Sequence, residues 1–191
     1  PLEFLPYSSG SVYLRPGVGQ STRVDFADPL TSRAELTGGI GADLKYRVSS
    51  NFTLDATLNP DFGQVELDPA VLNLTAFETR FDEKRPFFVE GAEILRFGTA
   101  VQGGPEGGPP QLIYSRRIGR APQLSAPGDA VYADLPETTT ILGAAKLTGR
   151  TLGGWSVGVL EALTQRESGV FVDEEQRRYR SVVEPLTNYL A

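Results

Sequence analysis

Carboxylates and cations crowd one short stretch of the chain, residues 78–96. Two carboxylates in one site can hydrolyse a glycosidic bond, one as acid and the other as base or nucleophile, and Glu83 and Glu90 are the candidates here. Charges of both signs at this density more often neutralise one another, which favours a salt-bridged network that holds the segment in place. The charged residues are Glu78, Asp82, Glu83, Glu90, Glu93, Arg80, Lys84, Arg85 and Arg96.

A second group combines basic side chains with a phenol. Arg116, Arg117 and Arg120 follow Tyr114 closely enough to form one patch. Such a patch could bind an anionic or sugar ligand, or it could pair with the acidic stretch before it. The sequence leaves both interpretations open.

Three carboxylates, Asp61, Glu66 and Asp68, could offer oxygen ligands to a calcium ion. Their spacing is not that of an EF-hand loop. Because Asp side chains also favour turns, loop capping is the preferred interpretation, and no metal or other cofactor is predicted.

Composition excludes several classes of function. The chain has no Cys and no His, which removes thiol nucleophiles, the common zinc ligands and the usual catalytic triad, so Ser8 has no partner base. A net charge of −6 with scattered basic residues argues against a nucleic-acid partner. The glycines at 103–108 lack the spacing of a phosphate loop. No window approaches the roughly 18 to 20 apolar residues of a membrane-spanning helix.

Residues 39–59 carry the clearest structural pattern. Apolar residues alternate with polar ones from Ile40 to Val48 and again from Phe52 to Leu58, around a short polar break. Period-two alternation predicts two strands, and the short break makes them an antiparallel hairpin. The polar side of this hairpin carries Asp43, Lys45, Arg47 and Asp55.

A second hairpin is predicted at residues 138–165, with arms at 138–148 and 155–165. Glu161 falls on its more apolar face, so the alternation there is imperfect. The residues assigned to that face are Ile141, Gly143, Ala145, Leu147, Trp155, Val157, Val159, Glu161 and Leu163.

The remaining chain is predicted in coarser terms. Residues 69–111 are expected to form an ordered insertion or loop, with a short helix suggested by the apolar spacing in 69–81. Residues 166–180 are expected to be a long charged loop, followed by one strand from Ser181 to the end. Weaker strands are predicted at 11–15 and 112–118, and the chain as a whole is expected to contain about six strands.

Each predicted strand has one apolar face, which can pack on a second sheet or face lipid. Three features favour lipid. The arms are about ten residues long, enough to cross a bilayer when tilted. Short connections (49–51, 149–154) alternate with long ones (60–111, 166–180), as in outer-membrane barrels. Aromatic residues lie near strand ends, as in an interfacial girdle: Tyr46, Phe52 and Trp155. A soluble β-sandwich remains the alternative.

Several sequence blocks resemble an outer-membrane barrel family, domain of unknown function 5916. The most specific is Asn59-Pro60-Asp61-Phe62-Gly63-Gln64; the others are residues 41–46, 51–55, 65–66, 68–70, 73–75, 77–78, 83–91, 114–120 and 184–188. The resemblance implies a large barrel that follows a family 9 carbohydrate-binding-like module in exported proteins of Gram-negative bacteria. It transfers no catalytic residue.

The sequence as a whole therefore predicts an all-β protein, an antiparallel membrane β-barrel segment with a partly helical insertion. Residues 1–191 are expected to be part of one such domain, because six strands are too few to close a barrel and the chain contains no Met. The expected location is the outer membrane, with lipid and a carbohydrate polymer as partners. The expected function is to bind or admit a substrate; Tyr114, Arg116, Arg117, Arg120 and the polar hairpin face are its candidate residues.

Overall fold

The computed structural model describes residues 2–14, 34–60, 81–95 and 113–191. Within these ranges the protein is mainly antiparallel β, which confirms the all-β class, and no helix is long and apolar enough to cross a bilayer. The strands are β1 (Leu2–Leu14), β2 (Ala34–Arg47), β3 (Phe52–Leu58), β4 (Ala130–Asp134), β5 (Ile141–Arg150), β6 (Ser156–Thr164), β7 (Glu167–Asp173), β8 (Arg178–Glu184) and β9 (Thr187–Leu190). The helices are α1 (Pro86–Val89), α2 (Ala92–Leu95) and a 3-10 turn, Ser115–Arg117.

Six strands form one sheet in the order β1-β2-β3-β5-β6-β9, and every neighbouring pair is antiparallel. Successive connections therefore lie at alternate ends of the sheet. The connections 48–51 and 151–155 are short and share one end. The connections 15–33, 59–140 and 165–186 are long and share the other. This agrees with the predicted alternation of short and long connections.

The hairpin predicted at residues 39–59 is confirmed as β2 and β3. The register pairs Leu44 with Ala56 and Lys45 with Asp55, so apolar and polar residues lie on opposite faces as expected. Strand β2 begins earlier than predicted, at Ala34, where it pairs with Leu14 of β1.

The second hairpin is confirmed as β5 and β6, with one correction to its faces. The register shifts between Ile141 and Gly143, and Ile141 pairs with Thr164. This bulge turns Ile141 to the polar face, where it is buried, instead of the apolar face predicted from strict alternation. Glu161 does lie with the apolar residues, as predicted, and accepts a hydrogen bond from Asn188 Nδ2 (3.2 Å).

The prediction of a long charged loop at residues 166–180 is wrong. This segment contains β7 and the start of β8, which pair in a hairpin and form a three-stranded sheet with β4. The charges are concentrated in the turn, where the carboxylate of Asp173 accepts hydrogen bonds from the backbone N–H and Nε of Arg177 (both 2.8 Å). The buried side chains Phe171 and Val172 stabilise this hairpin. The sequence prediction missed it because charged residues flank their short apolar run.

Three further strand predictions need correction. The single strand from Ser181 to the end is two strands in different sheets, separated at Pro185 and Leu186 because Pro cannot donate to a ladder. The weak strand at 11–15 is the end of the 13-residue β1. In the described part of 112–118 there is a 3-10 turn and no strand, and nine strands are present in the described ranges instead of about six.

The insertion is ordered where it is described, as predicted, but its helical turns lie at 86–89 and 92–95. The apolar spacing at 71–77 lies outside the described residues, as does the glycine-rich loop 103–110. The insertion packs on the polar face of the six-stranded sheet. Its buried core joins Phe88 and Ile118 to Ile141, Leu160 and Ala162 of β5 and β6.

The two faces of the six-stranded sheet differ sharply in exposure. On the apolar face, Ile40 is 78% exposed, Leu58 64% and Leu190 74%. On the polar face, Thr57 and Lys146 are each 1% exposed, and Lys146 lies under the insertion. The charged side is covered over β3 and β5, and the side that contains aliphatic residues is open.

Gly149 provides a test of the sheet's close packing. A Cβ at Gly149 would lie 2.4 Å from Asn51 O and 2.4 Å from the Phe52 ring, whereas a Cβ at Gly10 would have nothing within 4 Å. We expect Gly149→Ala to lower the free energy of unfolding by about 2 kcal/mol, because the main chain has to shift. Equilibrium urea unfolding measures this. Gly10→Ala is the matched control and should be near neutral; equal effects would contradict the packing.

Candidate functional site

A row of alternating charges crosses four strands on the polar face. Glu3 of β1 lies opposite Lys45 of β2, Lys45 lies opposite Asp55 of β3, and Asp55 lies opposite Lys146 of β5. Opposite charges directly across a ladder stabilise the strand pairing. The distances from Asp55 oxygens to the Nζ atoms of Lys45 and Lys146 are 3.9 and 3.8 Å.

Lys146 joins this row to the insertion. Its side chain is almost fully buried, and its ammonium donates hydrogen bonds to Phe87 O (2.6 Å) and to Glu90 O. The same ammonium lies 4.9 Å from the centroid of the Phe87 ring. A buried ammonium needs several acceptors, and the end of α1 and Asp55 supply them. Lys146 therefore holds α1 against the sheet.

Two glycines allow the insertion to approach the sheet closely. A Cβ at Gly158 of β6 would lie 2.8 Å from Ile94 and 2.9 Å from Leu95 of α2. Gly91, between the helical turns, has a φ of +67° and faces Thr148 of β5. A left-handed residue at this turn favours Gly because it has no Cβ. The insertion consequently lies directly on β5 and β6.

On its other side, the described part of the insertion reaches β2 through the ion pair of Glu90. Glu90 Oε1 pairs with Lys45 Nζ, and both side chains are accessible to solvent. An exposed ion pair stabilises far less than a buried one. The insertion is thus attached firmly to β5 and β6 and weakly to β2.

Glu83 and Arg85 form a compact network inside the insertion. The Arg85 guanidinium donates to both carboxylate oxygens of Glu83 (2.7 and 2.8 Å), and Ser115 Oγ donates to Glu83 as well (2.5 Å). Arg85 also donates to Ser115 O and Ile118 O (2.8 and 2.7 Å) and lies over the Phe88 ring. This network ties residues 83–88 to the 3-10 turn.

The protonation state of Glu83 bears on the hydrolase hypothesis. Burial by itself raises the pKa of Glu83, but hydrogen bonds from Arg85 and Ser115 outweigh burial, and the pKa lies below its usual value. A glycosidase acid needs a raised pKa. Glu83 is therefore suited to an ion pair and unsuited to the role of general acid.

The residues of the predicted basic patch lie in and beside the 3-10 turn. Tyr114 Oη accepts a hydrogen bond from the backbone N–H of Phe81 (2.9 Å). The phenol therefore joins Phe81 to the residues that precede the 3-10 turn. Arg116 and Arg117 lie together in the 3-10 turn, and Arg120 follows it. The Nε of Arg120 is buried and has no hydrogen-bond partner within the part of the chain that the structure describes.

A small cavity of about 70 Å³ separates the insertion from the sheet. It is lined in part by Asp82, Glu83, Tyr114, Lys146 and Leu160. Its size suits a few water molecules and excludes a sugar ring.

The remaining predicted residues fall into three groups. Asp43, Lys45, Arg47 and Asp55 share the polar face, as predicted from alternation. Lys84 and Glu93 lie in the described insertion. Glu78, Arg80 and Arg96 lie outside the described residues, as do the calcium candidates Asp61, Glu66 and Asp68. No group of His, Cys, Asp or Glu in the described ranges could hold a metal ion.

Lys146 was missed by the sequence analysis. Strict alternation in β5 places it among small residues on the face opposite Ala145 and Leu147. A lysine among small residues indicates a buried charge that needs acceptors. The sequence does not identify those acceptors, because Phe87 and Glu90 are more than fifty residues away.

The family model described as domain of unknown function 5916 matches residues 2–190. The chain belongs to this family. Searches of curated proteins and of solved structures gave no significant match. The family match names no site residues. The contacts between the polar face and the insertion define the candidate functional site.

Lys146→Met tests the contact between insertion and sheet. We expect it to lower the free energy of unfolding by about 3 kcal/mol, because two backbone carbonyls and Asp55 lose a buried donor. Lys45→Met, in the same row, removes an exposed ion pair and should cost less than about 1 kcal/mol. Urea unfolding of both variants gives the comparison. A smaller loss for Lys146→Met than for Lys45→Met would contradict the assignment.

Glu83→Gln tests the network around Arg85, and its effect should depend on pH. At neutral pH we expect a loss of about 2 kcal/mol, because the buried guanidinium loses its charged acceptor. The lowered pKa of Glu83 stabilises the fold above the ordinary value of 4.5, and this stabilisation disappears as pH falls through the folded-state pKa. The difference between wild type and variant should thus shrink below pH 4.5. A difference independent of pH would contradict the ionised pair.

Proposed function

We propose that the six-stranded sheet is part of the wall of an outer-membrane β-barrel that binds or admits a substrate at the cell surface. The observation that carries this proposal is the reversed polarity of the sheet. A sheet in water covers its apolar face and exposes its polar face. This sheet covers Asp55, Thr57 and Lys146 and exposes Ile40 and Leu58.

Hydrocarbon is the covering that best fits the apolar face. The strands β1, β2, β5 and β6 have 13, 14, 10 and 9 residues, long enough to cross a bilayer when tilted. A patch of this extent requires a covering of some kind. A second sheet of this chain is the alternative, but β4, β7 and β8 have their own buried residues, Phe171 and Val172.

Aromatic residues support the same orientation. Tyr46 and Phe52 lie on the apolar face at the end with the short connections, and Trp155 lies in one of those connections. Trp155 is 77% exposed. Membrane barrels place aromatic girdles at the interface and short turns on the periplasmic side. The long connections, including β4, β7 and β8, would then lie on the cell surface.

The polar face would line the lumen, with the insertion as an internal plug. Mixed charges such as Asp43, Lys45 and Arg47 suit a water-filled interior. The substrate we propose is a carbohydrate polymer, in accord with the carbohydrate-binding-like module that the family resemblance implies. The contacts of Glu83 give no support to a role as the general acid of carbohydrate hydrolysis.

Spin labels test which face contacts lipid. The chain has no Cys, so single-cysteine variants carry one label each. In the full-length polypeptide reconstituted in phospholipid vesicles, labels at Ile40→Cys and Leu44→Cys should be accessible to oxygen, which partitions into the bilayer. Labels at Asp43→Cys and Arg47→Cys should be accessible to a water-soluble nickel complex, and Leu152→Cys in a short turn is the aqueous control.

The proposal fails if positions 40 and 44 are accessible to the nickel complex. It also fails if the polypeptide stays monodisperse in buffer without detergent, because a lipid-facing surface of this size cannot remain in water.

A further inference from the structure

The insertion covers only part of the polar face. Under it, Asp55 of β3 and Lys146 and Thr148 of β5 are all buried. Toward the edge strand the same face is open: Leu5 of β1 is 64% exposed, and Asp43 of β2 is exposed. An uncovered strip therefore runs along β1 and β2 beside the insertion.

The Lys45–Glu90 ion pair spans the boundary between the covered and uncovered parts. The backbone of Glu90 is held by its carbonyl on Lys146, while its side chain extends to Lys45 of β2. The side chains of Lys45 and Glu90 are 40% and 59% exposed. The pair thus connects two solvent-accessible side chains, and the backbone of one of them, Glu90, is held in place by Lys146.

The charges beside this bridge are mainly acidic. Among the side chains that the structure describes, the solvent-accessible carboxylates on the strip are Glu3, Asp43 and Glu90, and the cations are Lys45 and Arg47. Asp55 and Lys146 are buried and face one another, so they add no net charge. Three carboxylates against two cations leave an excess of one negative charge along the strip. Rings of carboxylates favour cations in membrane pores.

We propose that the uncovered strip is the solute path, that the Lys45–Glu90 pair is its constriction, and that the path prefers small cations over anions. This rests on the proposed barrel. The insertion narrows the lumen from the β5 and β6 side, where its attachment is buried. The two exposed side chains then set the electrostatic potential at the narrowest point, because a charge acts most strongly in a confined, poorly screened space.

Ion selectivity in planar phospholipid bilayers tests the proposal, with the full-length polypeptide and a potassium chloride gradient. Wild type should give a reversal potential that shows cation preference. Glu90→Gln should lower the potassium-to-chloride permeability ratio, and Lys45→Gln should raise it, each by about two- to fivefold. Both shifts should diminish at high salt, because screening weakens exposed charges.

The control is Glu93→Gln, the same substitution at an exposed residue of the same insertion, and it should leave the ratio unchanged. Shifts of opposite sign for positions 45 and 90 are the decisive result, since mere loosening of the insertion would move both variants in one direction. Equal ratios in all variants, or absence of conductance while the apolar-face labels contact lipid, would overturn the path and leave the barrel intact. Failure of the labels to contact lipid would overturn both.

Discussion

The structure depends most on the contact between the Lys146 ammonium and the end of α1. A helix of four residues has no stability of its own, because nucleation costs more than one turn returns. Phe87 O, Glu90 O and Asp55 together satisfy a cation that is almost completely removed from water. The insertion therefore keeps its position because the sheet supplies the donor, and the sheet tolerates the buried charge because the insertion supplies acceptors.

This mutual dependence explains the reversed polarity of the sheet. The charged row from Glu3 to Lys146 contributes to packing only where a polar partner lies against it, and the insertion is that partner. The Glu83–Arg85 pair ties residues 83–88 of the insertion to the 3-10 turn through Ser115 and Ile118. The aliphatic face has no such partner among the described residues. The proposed function assigns hydrocarbon as its covering.

Much of the strand pattern could be predicted from local sequence. The β2–β3 hairpin alternates cleanly, and its faces were correct because period two is a local property. Predictions were wrong where local signals conflicted. The charges around β7 led to the prediction of a loop in place of its short apolar strand. The bulge between Ile141 and Gly143 reversed the face on which Ile141 lies. Most of β1 was not predicted because Pro6, Ser8 and Ser9 are unfavourable in a strand, although an edge strand tolerates Pro.

The sequence by itself determined the class of the protein, the two hairpins, the charged polar face and the likeness to its family, because alternation and motif are read residue by residue along the chain. Only the tertiary structure decided that Lys146 joins the insertion to the sheet and that Ser115 and Ile118 join the Glu83–Arg85 pair. It also decided which face is covered. These outcomes depend on groups separated by up to about sixty residues, whose meeting is set by strand order and register and leaves no local pattern.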